Sequence, residues 1–102
     1  MKQTPLIDAH RKAQGELVDF AGWEMPIQYS GVVDEYQTVR RHAGLFDVSH
    51  MGRISVSGPG SLAFLQRVTT NDVSKLSVRQ SHYSMICAPN GGIKDDIFVY
   101  HV

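Results

Sequence analysis

The sequence has little cysteine and no excess of charge of either sign. Its 102 residues contain one cysteine, Cys87, and ten basic side chains that balance ten acidic ones. A single cysteine excludes an internal disulfide and a zinc site built from spaced cysteines. Balanced charge provides no strong field for phosphate backbones or anionic lipid, so we expect neither a nucleic-acid nor a membrane partner.

Long apolar runs and a targeting leader are also missing. No stretch approaches the ~20 apolar residues that a transmembrane helix needs, and the start at residues 1–5 is polar. We therefore expect a bacterial-type cytoplasmic protein. The five histidines include no pair at an i, i+4 spacing. Since no carboxylate pattern completes a ligand set, we expect no metal.

The patterns that remain predict an α+β fold, in which helices pack on one face of an antiparallel sheet. Helices are predicted over 5–14 and 32–43, and a third after residue 60 with Leu62, Leu65 and Val68 on one side. Gly44 is predicted to end the second helix in a left-handed conformation. Segment 17–29 is expected to be extended, and 89–92 has the residues of a hairpin loop. The predicted strands are 45–48, 54–57, 81–88 and 93–102. The last of these stops without a turn or polar tail, which suggests an incomplete domain.

The strand that begins at Ile93 places a carboxylate beside aromatic rings. Because side chains alternate along a strand, Asp96 shares a face with Lys94, Phe98 and Tyr100. The strand is apolar enough to be covered on both faces. A carboxylate there requires a partner, and either Lys94 or a ligand would provide one.

The partner strand of this hairpin carries Tyr83, Met85 and Cys87 on one face. If the register brings that face to the side of Asp96, the carboxylate is surrounded by flat or polarizable groups. Such surroundings suit a planar heteroaromatic ligand with ring-nitrogen donors. The alternative is that Asp95 and Asp96 only cap the turn. Cys87 itself is expected to be a small buried hydrophobe.

The segment from Asp47 to Met51 superficially suggests a catalytic triad. Triads are assembled from distant segments, and adjacent strand residues point to opposite faces, so this interpretation is disfavoured. We expect instead that Asp47 and Ser49 hold a tight bend, that His50 satisfies a backbone carbonyl, and that Met51 fills an apolar gap.

Four blocks, in order and spacing, resemble the aminomethyltransferases, the T-proteins of the glycine cleavage system. They are residues 18–26, 40–51 with Phe46-Asp47-Val48-Ser49-His50-Met51, 70–73, and 90–100 with Asp95-Asp96. That family has a three-domain α/β fold, of which residues 1–102 would form the N-terminal part of the folate-binding domain. Its members are several times longer, which implies that this chain alone is inactive.

The resemblance also implies an activity and a site. The family transfers a methylene carbon from the aminomethyl-lipoyl arm of the H-protein to tetrahydrofolate and releases ammonia, with no metal. Its catalytic aspartate falls on Asp96, and Met51, Tyr83 and Tyr100 fall where it lines the folate pocket. The role implied for Asp96 is to orient the pterin and to accept a proton from the attacking nitrogen.

Two other interpretations remain open at this point. One is a relative within the same superfamily, such as the folate-binding protein of iron–sulfur cluster maintenance, although such relatives typically lack the block at 47–51. The other is a non-catalytic interaction module that pairs a free sheet edge with another chain.

Overall fold

The chain folds into two small units of mixed helix and strand. The computed structural model describes residues 1–102, which divide into a first unit at 1–53 and a second unit at 54–102. The α+β class predicted from the sequence is confirmed, and its strands lie in two small sheets. None of the helices is long and apolar enough to cross a membrane.

The first unit is a three-stranded sheet with two helices. The extended segment predicted at 17–29 is a hairpin, because Ala21 and Gly22 have φ angles of 50° and 84° and so form the tight turn that joins two strands. A short N-terminal strand adds in parallel to the second strand of this hairpin, which the sequence pattern did not reveal. The elements are β1 (Lys2–Gln3), α1 (Ile7–Lys12), β2 (Glu16–Phe20), β3 (Trp23–Gln28) and α2 (Val32–Arg41), with sheet order β1-β3-β2.

The second unit is a helix, a short 3-10 turn and a two-stranded antiparallel hairpin. Its elements are α3 (Ser61–Val68), the 3-10 turn (Val73–Lys75), β4 (Ser81–Cys87) and β5 (Ile93–Tyr100). The helix, the hairpin and its loop at 89–92 match the sequence prediction. Asp72 accepts a hydrogen bond from the amide of Ser74 at 3.1 Å and so caps the start of the 3-10 turn.

The core of the second unit lies under one face of the hairpin. Ser84 and Val99 on that face are 1% and 8% exposed. The hydroxyl of Ser84 accepts a hydrogen bond from the amide of Asn71 at 3.0 Å. This contact joins the hairpin to the segment that precedes the 3-10 turn and leaves the opposite face of the hairpin free.

Several predicted boundaries are wrong. The strands expected at 45–48 and 54–57 are irregular segments, since strands require a ladder partner and Leu45 and Ile54 are 102% and 91% exposed. Helix α1 is shorter than 5–14, and α2 ends at Arg41. Gly44 is not left-handed. Its missing side chain instead admits Val39, whose Cγ2 would lie 2.5 Å from an added Cβ.

Candidate functional site

The outward side of the second-unit hairpin carries a row of aromatic rings with one carboxylate, which we call the aromatic face. Its members are Tyr83 and Met85 of β4 and Asp96, Phe98 and Tyr100 of β5. The register places Tyr83 opposite Phe98 and Met85 opposite Asp96, as the sequence analysis required. The centroid of the Phe98 ring lies 5.6 Å from that of Tyr83 and 6.2 Å from that of Tyr100. The Phe98 ring is edge-on to Tyr83 at 64° and tilted by 35° from Tyr100. The three rings therefore form a contiguous row, and each offers a face on which part of a flat molecule can stack.

Asp96 is held by Tyr83 rather than by Lys94. The phenol of Tyr83 donates a hydrogen bond to Oδ2 of Asp96 at 3.1 Å, whereas no ion pair joins Lys94 to this carboxylate. The hydrogen bond to Asp96, aided by desolvation and by the negative charge, raises the pKa of the Tyr83 phenol. One oxygen of Asp96 is thus oriented from within the hairpin, while the carboxylate stays on the exposed side.

The expectation that this strand is covered on both faces is wrong. Tyr83, Phe98 and Tyr100 are 48%, 57% and 66% exposed, whereas Ser84 and Val99 on the opposite side of the hairpin are buried. The prediction that Cys87 is buried is also wrong. A bulge after Ile86 shifts the register there, so Cys87 lies outside the regular pairing that orders the aromatic face.

Met51, the remaining predicted pocket residue, lies in the first unit and is not on the hairpin. Half of its surface is exposed, so the prediction that it fills an apolar gap is wrong. The structure therefore brings together Tyr83, Asp96 and Tyr100 of the predicted site residues, and it adds Phe98 as the ring that connects the two tyrosines.

The first unit contains a buried polar cluster that sequence reasoning missed. His10 Nε2 lies 2.7 Å from Oδ2 of Asp47, and His10 Nδ1 lies 2.7 Å from the phenol oxygen of Tyr29. Thr4 donates to the same Asp47 oxygen at 2.6 Å, and the amide of Ser49 donates to Oδ1 at 2.9 Å. Hydrogen bonds from Ser49, Thr4 and His10 hold the pKa of the Asp47 carboxyl well below its usual range despite its burial.

This cluster shows what Asp47 and Ser49 do in the segment from Asp47 to Met51, for which a catalytic triad was disfavoured. Asp47 and Ser49 hold a bend, as predicted, but Asp47 also ties that bend to α1 through His10. His50 takes no part: its Nδ1 is buried without a hydrogen-bond partner, so the prediction that it satisfies a backbone carbonyl is wrong. No sequence signal marked the pairing of His10 with Asp47, because 37 residues separate them.

His50 packs among apolar and aromatic side chains. Its ring lies edge-on to Phe20 and Trp23, with centroid distances of 5.6 Å and 6.5 Å. It lines a shallow cavity of about 350 Å³ whose other walls are apolar. Trp23, the first residue of β3, therefore packs against His50. No group of three or more His, Cys, Asp or Glu side chains is close enough to hold a metal ion.

The chain is similar to known proteins along almost its whole length. The family described as the GCVT N-terminal domain matches residues 6–102. The aminomethyltransferase of Desulfitobacterium hafniense is 54% identical over 100 residues, which are 98% of this chain and 27% of the relative. The aminomethyltransferase of Bacillus cytotoxicus is 52% identical over the same shares of the two chains.

A solved structure shows the same fold. The glycine cleavage system aminomethyltransferase T from Bartonella henselae superimposes with a TM-score of 0.88 and 41% identity, over 99% of this chain and 28% of that one. This chain thus spans about a quarter of the length of the relatives it matches. With a family match that extends from residue 6 to residue 102, the chain belongs to the GCVT N-terminal domain family.

Proposed function

We propose that this chain supplies the folate-facing part of an aminomethyltransferase of the glycine cleavage system. The reaction would transfer a methylene carbon from the aminomethyl-lipoyl arm of the H-protein to tetrahydrofolate and release ammonia. Residues 1–102 would be the N-terminal part of the folate-binding domain and would be inactive alone. The observation that carries the proposal is the oriented carboxylate of Asp96 among the rings of Tyr83, Phe98 and Tyr100.

The aromatic face is suited to a pterin. A pterin is a planar heterocycle with nitrogen donors along its edge, so rings beside a carboxylate would provide both stacking and orientation. Tyr83 occupies one oxygen of Asp96, which leaves the other oxygen to accept a proton or a hydrogen bond. The resemblance also assigns Met51 to the folate contacts, and that assignment stays a prediction.

The reaction requires that the two substrates be held in position and that protons be transferred between them. Two folate nitrogens form bonds to the methylene carbon, while its bonds to the amine nitrogen and to the lipoyl sulfur break. Two protons leave the folate nitrogens, and equal numbers are needed to release ammonia and the thiol. Asp96 would orient the attacking nitrogen and receive its proton, since a carboxylate fixed near developing positive charge lowers the barrier without reorganisation.

The partners of the proposed reaction are the lipoylated H-protein and tetrahydrofolate, which acts as co-substrate. No metal has a role in it, and the reaction would take place in the cytoplasm. The aromatic face is itself only part of a pocket, because it is the exposed side of one hairpin. Residues that belong to the rest of the enzyme would close the pocket over the folate.

A chimeric enzyme tests this proposal. The segment of the Desulfitobacterium hafniense aminomethyltransferase that matches this chain, at 54% identity over 100 residues, would be replaced by this chain. We expect the chimera to form methylenetetrahydrofolate from aminomethylated H-protein. Asp96→Asn is expected to lower kcat/KM by at least about 100-fold, in the range known for removal of a catalytic acid or base.

Asp95→Asn is the matched control, because it removes the same charge from the adjacent residue on the opposite face of β5. We expect it to retain activity within about 10-fold. An inactive chimera that is folded, or equal losses in the two variants, would contradict the proposal.

A further inference from the structure

The loop that joins β4 to β5 places an asparagine directly before a glycine. Asn90, Gly91 and Gly92 are all exposed. Gly91 has a φ angle of 86°, which favours glycine at this place in the turn. A Cβ added at Gly91 would meet no atom within 4 Å, so the space beside this residue is open.

An asparagine followed by a glycine can react with its own main chain. The main-chain nitrogen of Gly91 attacks Cγ of Asn90, and the absence of a glycine side chain leaves this approach unobstructed. The new bond from nitrogen to Cγ forms as the bond from Cγ to Nδ2 breaks, and ammonia leaves with the proton of the attacking nitrogen. Water then opens the cyclic imide at one of its two carbonyls, which gives aspartate or isoaspartate. We propose that Asn90 is a site of this spontaneous modification, which requires only water.

The folded loop restrains the reaction without preventing it. The amide of Gly91 donates a hydrogen bond to the carbonyl of Ala88 at 2.9 Å, and Oδ1 of Asn90 accepts one from the amide of Gly92 at 3.1 Å. Both hydrogen bonds must break before the nitrogen of Gly91 reaches Cγ. Because exposed loops open at little cost in free energy, the reaction proceeds through an opened loop and is slower in the folded protein than in an unfolded chain.

The two products have different consequences for the hairpin. Aspartate keeps an oxygen where Oδ1 of Asn90 accepts from the amide of Gly92, so the loop is retained with an added negative charge. Isoaspartate instead carries the main chain through the former side chain and lengthens it by a methylene group. The loop is closed by the amide of Ala88, which donates to the carbonyl of Gly92 at 2.8 Å, and by the pairing of Cys87 with Ile93. A longer main chain disrupts this closure.

The other asparagine of the chain is an internal control. The sequence contains two, Asn71 and Asn90. Nδ2 of Asn71 donates to the carbonyl of Tyr83 at 2.9 Å, which holds the leaving group in place. The residue that follows is Asp72, and its side chain obstructs the approach of its own nitrogen to Cγ. Asn71 is therefore expected to remain intact under conditions that convert Asn90.

Peptide mapping by mass spectrometry tests the proposal. The chimera described above would be incubated at mildly alkaline pH, with and without urea, beside a synthetic peptide of residues 86–95. We expect Asn90 to be converted at least about 10-fold faster than Asn71 in the folded chimera, and about 10-fold faster again in urea. An Asn90 that stays intact in the folded chimera while the peptide is fully converted, or equal conversion of the two asparagines, would overturn the proposal. Equal rates for Asn90 with and without urea would overturn the restraint by the loop.

Hydrogen exchange separates the effects of the two products. We expect the amides of residues 93–100 to exchange about 10-fold faster in chimera that contains isoaspartate at position 90 than in fresh chimera. Freshly prepared Asn90→Asp is the matched control, because it adds the same charge without lengthening the main chain, and it should keep the exchange rates of the parent. Equal rates in all three samples would overturn the predicted disruption. The reaction involves no folate, so a chimera that fails to bind folate would contradict the proposed function and leave this proposal intact.

Discussion

His10 Nε2 lies 2.7 Å from Oδ2 of Asp47, and the two side chains are only 7% and 3% exposed. This contact joins α1 to the irregular segment after α2. Since a buried charge without a partner is costly, the hydrogen bonds of Asp47 decide where this segment lies. The same segment leads directly into His50 and Met51, so the cluster positions the start of the block at 47–51.

We predict that Asp47→Ala lowers the free energy of unfolding by about 2–4 kcal/mol, because it leaves His10 and Thr4 buried with fewer hydrogen-bond partners. Urea denaturation would measure the change. Asp8→Ala is the control: Asp8 pairs with Arg11 at 3.5 Å but is 94% exposed, and surface pairs contribute little. Similar losses in the two variants would show that the buried cluster is not a major source of stability.

The stability of the chain is predicted to fall in acid partly because of Asp47. Its pKa is lowered in the folded state, so below about pH 4 the unfolded state binds more protons and stability declines as the pH drops. Above that pH the stabilising contribution of the Asp47 carboxylate is fully present. Denaturation between pH 2 and 6 should therefore show a smaller decline for Asp47→Asn than for the parent chain. Parallel curves would refute this assignment.

The pKa of the Tyr83 phenol is predicted to fall in Asp96→Asn. In the parent chain the hydrogen bond to Asp96 raises it, since loss of the phenol proton would leave two negative charges side by side. NMR titration with ring-labelled tyrosine separates Tyr83 from the other three tyrosines. Asp95→Asn is the control, and it should leave the pKa of Tyr83 unchanged. An unchanged titration in Asp96→Asn would mean that the 3.1 Å contact is not maintained in solution.

Phe98→Leu is predicted to weaken binding of a reduced folate by the chimera about 3- to 10-fold. The substitution removes the ring that packs against Tyr83 and Tyr100, and aromatic pairs contribute about 0.5–1.5 kcal/mol beyond the buried area. Fluorescence titration would measure the affinity. The control, Phe64→Leu, changes a half-exposed ring on α3 and should leave affinity unchanged. Equal losses would indicate a general effect on the second unit.

Local signals were sufficient to predict the hairpin and helix α3 of the second unit. The hairpin that carries Tyr83 and Asp96 was predictable because side-chain alternation and a Pro-Asn-Gly-Gly loop together determine which residues share a face. Helix α3 followed from its apolar spacing. These features depend on residues close in the chain, and the pairing of Tyr83 with Phe98 then follows from the turn.

Long-range contacts were not predictable in the same way. The strands expected around Leu45 and Ile54 had suitable residues, but a strand needs a partner edge, and local sequence does not indicate where that edge is. The hydrogen bonds from Thr4 and His10 to Asp47 span 43 and 37 residues. The exposure of the aromatic face was missed for a related reason, because apolar residues on both sides of β5 indicate burial without saying which element covers them.

The central claim is that Asp96 and its neighbouring rings hold part of a pterin site. The most direct test is calorimetric titration of the chimera with a stable reduced folate such as 5-formyltetrahydrofolate, repeated with Asp96→Asn and with Asp95→Asn. The account predicts saturable heat in the parent chimera and in Asp95→Asn, and its loss in Asp96→Asn. A folded parent chimera that gives no heat, or an Asp96→Asn variant that binds as tightly as the parent, would contradict it.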